Sequence, residues 1–388
     1  MTTTHRIGFI TRGTQRATGS GANYYMAEQL RPIGAEMIEL LIPPPPPSFA
    51  WRLARKLYRA LGSYRGSTTW MLSRDYARAA ARSLSPRLAA SHLDLLFCAL
   101  AGREMPAVRS AVPLVYCTDY TVPRVVDLSA YPLFEGLPRQ SVQVQMSLEA
   151  DLVHRATLNL VPTEWIAQSL REHYDVPAER IRVVPWGANI DSGDVPRIEE
   201  VCRDSPGSVC SLLFLGVEWP RKGGDLAYET LQHLIGRGVP AELIVAGCQP
   251  PDGCTHEKMR VLGRLDKNDP AARRRISDLL RTSSFLLLPT RGDTFGHVFC
   301  EAGAYALPSI TTRVGGVGEV VRDGENGMAL PLTAGADQYA ETIAGLWFNH
   351  DTYRELSAGA RRAFDKRLNW EAWGREVRPM LSKILGRP

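Results

Sequence analysis

The residues with the clearest capacity for chemistry lie in one segment of the chain, at positions 289–308. Asp293 follows a short apolar run, and Gly296 opens a predicted helix that carries a second acid, Glu301, eight residues after the first. The start of a helix presents unpaired N–H groups and a partial positive charge, which favour a phosphate or a sugar hydroxyl. Two carboxylates at this spacing can therefore contact two different parts of one elongated ligand.

The elements around this segment alternate between short apolar runs and amphipathic helices. Strands are predicted at 211–215, 241–246 and 284–288, and helices at 224–236, 271–282 and 298–306. Such alternation is typical of βαβ units and predicts a doubly wound parallel sheet. The pattern therefore places Asp293 after the end of a strand and Glu301 in the helix that follows.

The first half of the chain shows the same alternation. Strands are predicted at 6–10, 37–42, 93–99, 113–117, 157–161 and 181–185, and helices at 22–30 and from 163 to about 174. A chain of 388 residues exceeds what one hydrophobic core usually organises. We therefore predict an N-terminal domain over 1–195 and a C-terminal domain over 208–369, joined by the polar stretch 192–208. A final helix at about 370–388 is expected to cross back to the first domain.

The segment from Asp293 to Glu301 resembles the acid-x7-acid motif of the family 4 glycosyltransferases. The resemblance implies the α/β GT-B fold, in which two doubly wound Rossmann-like domains face each other across a cleft. It implies that Asp293 binds hydroxyls of the donor sugar and that Glu301 binds the ribose of the nucleotide. The backbone at Phe295, Gly296 and His297 would approach the sugar or its phosphate. The family usually has Glu at the first position, so the shorter Asp293 leaves the identity of the sugar open.

A second segment, at 214–224, resembles the strand, glycine turn and Lys-Gly element of the same family. The resemblance implies that Arg221 and Lys222 contact the diphosphate of the donor. A departing nucleoside diphosphate gains negative charge, which cations beside a helix start would stabilise. Many members carry Arg directly after the glycine of this turn, where this chain has Val217, so we assign that role to Arg221. The alternative for these cations is a charged turn without a ligand.

Three weaker matches follow in family order. Residues 19–21 resemble a loop through which the backbone approaches the substrate, and Gly21 is the predicted donor contact there. The segment 183–189 resembles the end of the first domain, with Trp186 where Asn is common. The segment 311–319 resembles the loop after the helix of the second acid. Together the matches extend the resemblance over most of the chain.

The first domain offers one candidate for catalysis. In many family members a His near the end of a strand in this domain lies close to the reacting carbon, and the matching strand end contains Asp119. A carboxylate there can accept a proton or stabilise positive charge. The predicted catalytic residues are therefore Asp119, Asp293 and Lys222. The alternatives for Asp119 are that it caps a helix or binds the acceptor.

The resemblance implies a retaining glycosyltransferase that moves a sugar from a nucleotide-sugar donor to a hydroxyl of a glycan, a lipid-linked molecule or a small molecule, as in polysaccharide biosynthesis. UDP is the expected carrier rather than GDP because it is the commoner one. Two alternatives stay open: a nucleotide-sugar epimerase of the same architecture, and a sugar-nucleotide-binding protein without turnover. The sequence contains no Asp-x-Asp triplet, so we expect neither a metal ion nor another cofactor.

The net charge of +5 is unevenly distributed along the chain. Residues 51–90 contain eight Arg and one Lys against one acid, together with several large apolar residues. This segment is expected either to contact an anionic membrane surface or a phosphorylated acceptor, or to be a solvated helical face. Scattered cysteines, and no secretory pattern or run long enough to span a bilayer, favour the cytoplasm, with peripheral contact at the inner face of the membrane left open. No nucleic-acid partner is expected.

Overall fold

The computed structural model describes residues 5–16, 21–47, 49, 52, 68–128, 137–201 and 205–386. The chain forms two compact units. The first unit comprises Met1–Val184 and Gly374–Pro388, and the second comprises Pro185–Trp373. Each unit is built on its own parallel sheet.

The first unit surrounds its sheet with helices. Its described strands are β1 (Arg6–Thr11), β2 (Glu36–Leu41), β3 (Leu95–Ala99), β4 (Leu114–Cys117), β5 (Leu158–Val161) and β6 (Ile181–Val183). Its described helices before Val184 are α1 (Ala22–Leu30), α2 (Thr68–Met71), α3 (Arg74–Ala90), α4 (Val122–Asp127), α5 (Arg139–Arg155) and α6 (Glu164–Tyr174). The strands are ordered β2-β1-β3-β4-β5-β6, and every pair is parallel.

The direction in which strands are added reverses once in this sheet. The chain passes from β1 outward to β2 and then returns to the other side of β1 to form β3. The loops after β1 and β3 therefore lead to opposite sides, and open α/β sheets bind ligands in the crevice at such a switch point. The flanking strands are buried, and the rings of Phe9 and Phe97 stack at a centroid distance of 5.7 Å.

The second unit repeats this plan. Its described strands are β7 (Cys210–Leu215), β8 (Ala241–Ala246), β9 (Met259–Val261), β10 (Phe285–Leu288), β11 (Ser309–Thr312) and β12 (Gly327–Leu330). Its described helices are α7 (Ile198–Val201), α8 (Gly224–Gly236), α9 (Pro270–Thr282), α10 (His297–Ala304), α11 (Val317–Val320), α12 (Ala336–Phe348) and α13 (His350–Lys366), and α14 (Trp370–Ile384) begins here. The parallel order is β12-β11-β10-β7-β8-β9, which puts the switch point between β7 and β10.

The prediction of two doubly wound parallel sheets in tandem is confirmed. The division of the chain falls after Val184, however, and not in the predicted polar stretch 192–208. The segment that follows Val184 packs inside the second unit: Ala188 N donates to Leu368 O at 3.0 Å, and Arg361 Nη1 donates to Pro196 O at 2.8 Å. A polar composition was therefore a poor marker of the boundary.

One other part of the sequence interpretation changes in detail. The segment 311–319, expected to be a loop, begins inside β11, because Thr311 and Thr312 are buried and pair with β12. The final helix, α14, starts in the second unit and ends in the first. In the first unit, Arg378 Nη1 donates to Gln29 O at 3.0 Å, which fixes the end of α14 against α1.

The basic segment 51–90 is described only in part, since residues 51 and 53–67 lie outside the described residues. In the described part, Trp70 and Leu72 are buried in the first unit, and Trp70 Nε1 donates to Pro45 O at 3.0 Å. These two side chains therefore belong to the interior and are not available to a membrane surface. Within the described ranges, every helix is too short or too polar to cross a bilayer.

Candidate functional site

The loops after β7 and β10 meet at the switch point of the second sheet through a buried ion pair. Lys222, from the loop after β7, donates from Nζ to Oδ2 of Asp293, from the loop after β10. Each residue is only 8% exposed. Burial lowers the pKa of Lys222, and the carboxylate of Asp293 opposes that shift. A buried pair of this kind costs desolvation energy, so its place at a switch point, where open α/β sheets bind ligands, points to function more than to stability.

Glycine allows these two loops to approach each other. Gly223 has φ 74°, and a Cβ atom on it would lie 2.0 Å from the carbonyl oxygen of Pro289. Gly296 has φ 90° and precedes α10, and a Cβ there would lie 2.5 Å from the Phe299 ring. Both positions therefore exclude other residues, through backbone conformation and through space.

Arg221 also connects these two loops. Its Nη1 donates to Gly292 O at 2.8 Å, and its Nε pairs with the carboxylate of Glu218. The backbone carbonyl of Arg221 also accepts from Arg291 N at 2.8 Å. Arg221 thus holds the two loops together through hydrogen bonds. Its predicted contact with a diphosphate stays a prediction.

Glu301 lies in α10 and is 2% exposed. Its Oε1 accepts from Lys267 Nζ at 2.5 Å, and Lys267 comes from the loop between β9 and α9. Sequence reasoning missed Lys267. The strand before it, β9, has only three residues and gives almost no periodic signal, whereas the Asp269-Pro270 start of α9 could have marked a loop end near the site.

His297 and Phe295 turn their side chains into the interior of the second unit. The His297 ring stacks on Trp186 and Trp370 at centroid distances of 5.4 and 6.0 Å, and Phe295 lies 5.9 Å from Trp186. Nδ1 of His297 is 2.9 Å from Gly187 O, and since a carbonyl only accepts, Nδ1 carries the proton. Burial lowers the pKa of His297 to about 4, so the ring is neutral.

Because the side chains of Phe295 and His297 point inward, the start of α10 exposes backbone N–H groups and not these side chains. No described side chain caps this helix, so its first N–H groups keep their capacity to bind an anion or a hydroxyl. Asp293, the partner of Lys222, has its Oδ2 3.7 Å from the position that a Cβ on Gly296 would take, just before this helix. Glu301, the partner of Lys267, lies one turn further along α10. The arrangement offers cations and N–H donors for a phosphate, and carboxylates for hydroxyl groups.

The remaining predicted site residues lie in the first unit. Asp119 follows β4 and is half-buried, and α4 begins after Thr121, so Thr121 rather than Asp119 is the N-cap residue. Gly21 is the N-cap residue of α1, with φ 93°, and is buried, while Gly19 and Ser20 lie outside the described residues. Both described positions lie at carboxyl ends of strands or at a helix start, where ligands bind in such sheets. Their roles stay predictions.

The described residues contain no group of three or more His, Cys, Asp or Glu side chains that could hold a metal ion. The buried Asp293 has a lysine as its partner, and Glu301 has another. The charge of each carboxylate is therefore balanced by an amine.

Two doubly wound parallel sheets in tandem define the GT-B fold class. Among solved structures the chain is similar to sucrose-phosphate synthase from Thermosynechococcus elongatus, with a TM-score of 0.71, 16% identity and coverage of 98% of this chain and 99% of that chain. It is also similar to Anabaena HepE in complex with UDP-glucose, with a TM-score of 0.63, 14% identity and coverage of 97% and 99%. These likenesses establish the fold.

The family follows from the sequence models. Residues 24–192 match the model for Glycosyltransferase Family 4, and residues 210–349 match that for Glycosyl transferases group 1. The chain belongs to these family 4, group 1 glycosyltransferases. The first match includes Asp119, and the second includes Lys222, Asp293 and Glu301.

Two curated relatives carry the name D-inositol 3-phosphate glycosyltransferase. The protein from Rhodococcus erythropolis is 30% identical over 285 residues, covering 68% of this chain and 61% of the relative. The protein from Acidothermus cellulolyticus is 31% identical over 282 residues, covering 68% and 60%. The match thus spans about three fifths of the length of each relative.

Proposed function

We propose that the chain is a retaining, metal-independent glycosyltransferase that takes a sugar from a nucleotide-sugar donor, with UDP as the preferred carrier. The observation that carries the proposal is the placement of the buried Lys222–Asp293 pair beside the uncapped start of α10, with Glu301 one turn further along this helix. Family membership and the names of the relatives support it. A solved structure of the same fold was obtained with UDP-glucose.

In the second unit, different residues would bind the different parts of the donor. The N–H groups of α10 and the Lys222 ammonium would bind the diphosphate, whose negative charge grows as the glycosidic bond breaks. Asp293 would accept hydrogen bonds from the sugar, and Glu301 from the ribose. Because the Lys222–Asp293 pair is buried, its charges act in a low dielectric and are already oriented before the reaction.

The acceptor supplies a hydroxyl that replaces the diphosphate on the same face of the sugar, through an oxocarbenium-like transition state. Asp119, after β4 of the first unit, is proposed to accept the proton or to stabilise the positive charge. By the names of the relatives, a small phosphorylated polyol is one acceptor to examine, beside glycans and lipid-linked molecules.

Calorimetry with a panel of UDP- and GDP-sugars tests the donor assignment. Glu301→Ala is expected to weaken nucleotide binding at least about tenfold, because a charged hydrogen bond to the ribose is worth roughly 1.5–3 kcal/mol. Glu229→Ala, an exposed carboxylate on α8, is the control and is expected to bind like the wild type. Unchanged nucleotide affinity in Glu301→Ala would refute the role of this carboxylate.

Two further assays separate transfer from its alternatives. Incubation of the donor without an acceptor is expected to leave its sugar unchanged, whereas formation of an isomer would indicate an epimerase. Activity in excess chelator is expected to equal that without it. Loss of activity that magnesium restores would contradict metal independence.

A further inference from the structure

The loops after β1 and β3 meet around a buried acid at the switch point of the first sheet. Glu104 is fully buried and receives Arg12 in a bidentate pair, with Nε to Oε1 at 2.8 Å and Nη2 to Oε2 at 3.0 Å. The hydroxyl of Tyr76 donates to Oε1 at 2.5 Å. Both carboxylate oxygens of Glu104 are therefore hydrogen-bonded, and Arg12 balances its negative charge.

Arg103, the neighbour of Glu104, has no such partner among the residues that the structure describes. Its Nε and Nη1 atoms are buried and make no hydrogen bond, and no described carboxylate forms an ion pair with it. A guanidinium stays charged at any ordinary pH, and a buried donor left unsatisfied costs about 1–3 kcal/mol. The cluster of Arg12, Glu104 and Arg103 thus carries one positive charge in excess.

The surrounding loop fixes Arg103 in this unfavourable position. Leu100 adopts φ 54°, a left-handed conformation that strains a residue with a side chain. Gly102 approaches Tyr116 so closely that a Cβ would lie 2.2 Å from its hydroxyl oxygen. Backbone bonds from Glu104 N and Met105 N to Ala101 O, at 3.1 and 3.3 Å, close the turn. A strained, tightly closed loop that holds an unpaired charge is typical of a binding site.

Tyr120, from the loop after β4, lies beside the same charge. Burial raises the pKa of Tyr120, and the positive charges of Arg103 and Arg12 oppose that shift. The carboxylates of Glu149 and Glu104 add to the shift. The loops after three adjacent strands, β1, β3 and β4, therefore bring two guanidiniums and a phenol to one end of the sheet. Arg103 itself is only partly buried, so the cluster is reachable from solvent.

We infer that Arg103, supported by Arg12 and Tyr120, binds an oxyanion, a phosphate or carboxylate group, at the β1/β3 switch point of the first unit. The planar fork of a guanidinium matches two oxygens of either group. That the anion is part of the acceptor rests on the proposed function, whereas the anion site itself does not. The acceptor class is then an acidic molecule that offers a hydroxyl.

The test uses the full chain saturated with UDP, so that the proposed diphosphate site is filled. The melting temperature is followed during titration with inorganic phosphate, and separately with acetate, at constant ionic strength. The wild type is expected to show a saturable rise with at least one anion. Arg103→Met is expected to raise the apparent Kd at least about tenfold, and Arg103→Lys to recover part of the affinity.

Arg82→Met is the matched control, since Arg82 is exposed on α3. It is expected to respond like the wild type. Because Arg103→Met removes an unpaired charge, its melting temperature without ligand is expected to be no lower than that of the wild type, whereas a purely structural arginine would give a lower one. A tighter response to phosphate or to acetate identifies the acidic group.

The inference would be overturned if the wild type showed no saturable response to either anion. It would also be overturned if Arg103→Met responded like the wild type. The proposed function is judged separately. UDP affinity is expected to be the same in Arg103→Met and in the wild type. If neither UDP nor GDP binds the wild type, the proposed function fails. The anion titration is then repeated without a nucleotide in the Lys222→Met variant.

Discussion

Lys267 Nζ lies 2.5 Å from Oε1 of Glu301 and joins the loop after β9 to helix α10. Glu301 is almost completely buried, while the Lys267 side chain is 28% exposed. The lysine therefore supplies the counter-charge that lets an ionised carboxylate persist inside the second unit. It also fixes the position of one carboxylate oxygen of Glu301.

Replacement of Lys267 by Met is expected to lower the free energy of unfolding by about 2 kcal/mol, because it leaves a buried carboxylate without a partner. The loss is expected to shrink at saturating UDP, since in the proposed function ribose hydroxyls would hydrogen-bond the carboxylate. Denaturant unfolding with and without UDP measures both effects. The exposed Lys258→Met variant is the control. Equal stability of the two variants would show that the pair contributes nothing.

Lys222→Met is expected to lower kcat about 100-fold, the effect of removing one preorganised group that stabilises developing charge. It also leaves Asp293 buried without its partner, so the melting temperature is expected to fall. The double variant, Lys222→Met with Asp293→Asn, should recover part of the melting temperature but none of the kcat. Initial rates and thermal unfolding of the three proteins measure this. Recovery of kcat in the double variant would mean that Lys222 acts only through stability.

The environment of His297 predicts a pH dependence of stability. Burial lowers the pKa of His297 to about 4, below its ordinary value of 6.5. Between these values the unfolded chain binds a proton that the folded chain does not, so the stabilising contribution is complete above pH 6.5 and is lost as the pH falls toward 4. The expected loss between pH 7 and pH 5 is about 2 kcal/mol.

Chemical denaturation at both pH values checks this for the wild type and for His297→Phe. Phenylalanine keeps a ring in contact with Trp186 and Trp370 but does not titrate. The variant is therefore expected to lose about 2 kcal/mol less than the wild type over the same interval. Identical losses in the two proteins would show that His297 does not titrate in this range.

Sequence patterns predicted those helices and strands that are determined by residues close together in the chain. The helices Ala22–Leu30 and Gly224–Gly236 have the predicted bounds, and Thr163 accepts from Ile166 N at 3.4 Å as the N-cap of α6. Apolar runs such as Leu95–Ala99 became strands because both faces of a parallel sheet are covered. Such elements can be predicted from the sequence because their burial and capping depend on neighbouring residues.

Features that depend on distant residues could not be predicted in this way. Lys267 and Glu301 are 34 positions apart, and no periodicity relates them. The polar stretch 192–208 looked like a boundary. However, the segment before it already belongs to the second unit, where Trp186 stacks on Trp370. Three- and four-residue strands such as β9 and β12 are too short to show alternation.

Gly223 offers a test of the loop contact that positions Lys222. Alanine at Gly223 would have to adopt φ 74° and would place its Cβ 2.0 Å from Pro289 O. A left-handed alanine costs roughly 1–2 kcal/mol, and the contact forces the loops after β7 and β10 apart. Gly223→Ala is therefore expected to lower the free energy of unfolding by more than about 2 kcal/mol and to weaken donor binding.

Gly345→Ala is the matched control for this substitution. Gly345 lies inside α12 and is exposed, and a Cβ atom added to it would have no neighbouring atom within 4 Å. Since alanine loses less entropy in a helix than glycine, this variant is expected to gain about 0.5–1 kcal/mol. Denaturant unfolding and UDP calorimetry compare the two variants. If Gly223→Ala kept both wild-type stability and wild-type UDP affinity, the close approach of the two loops would not matter for the position of Lys222.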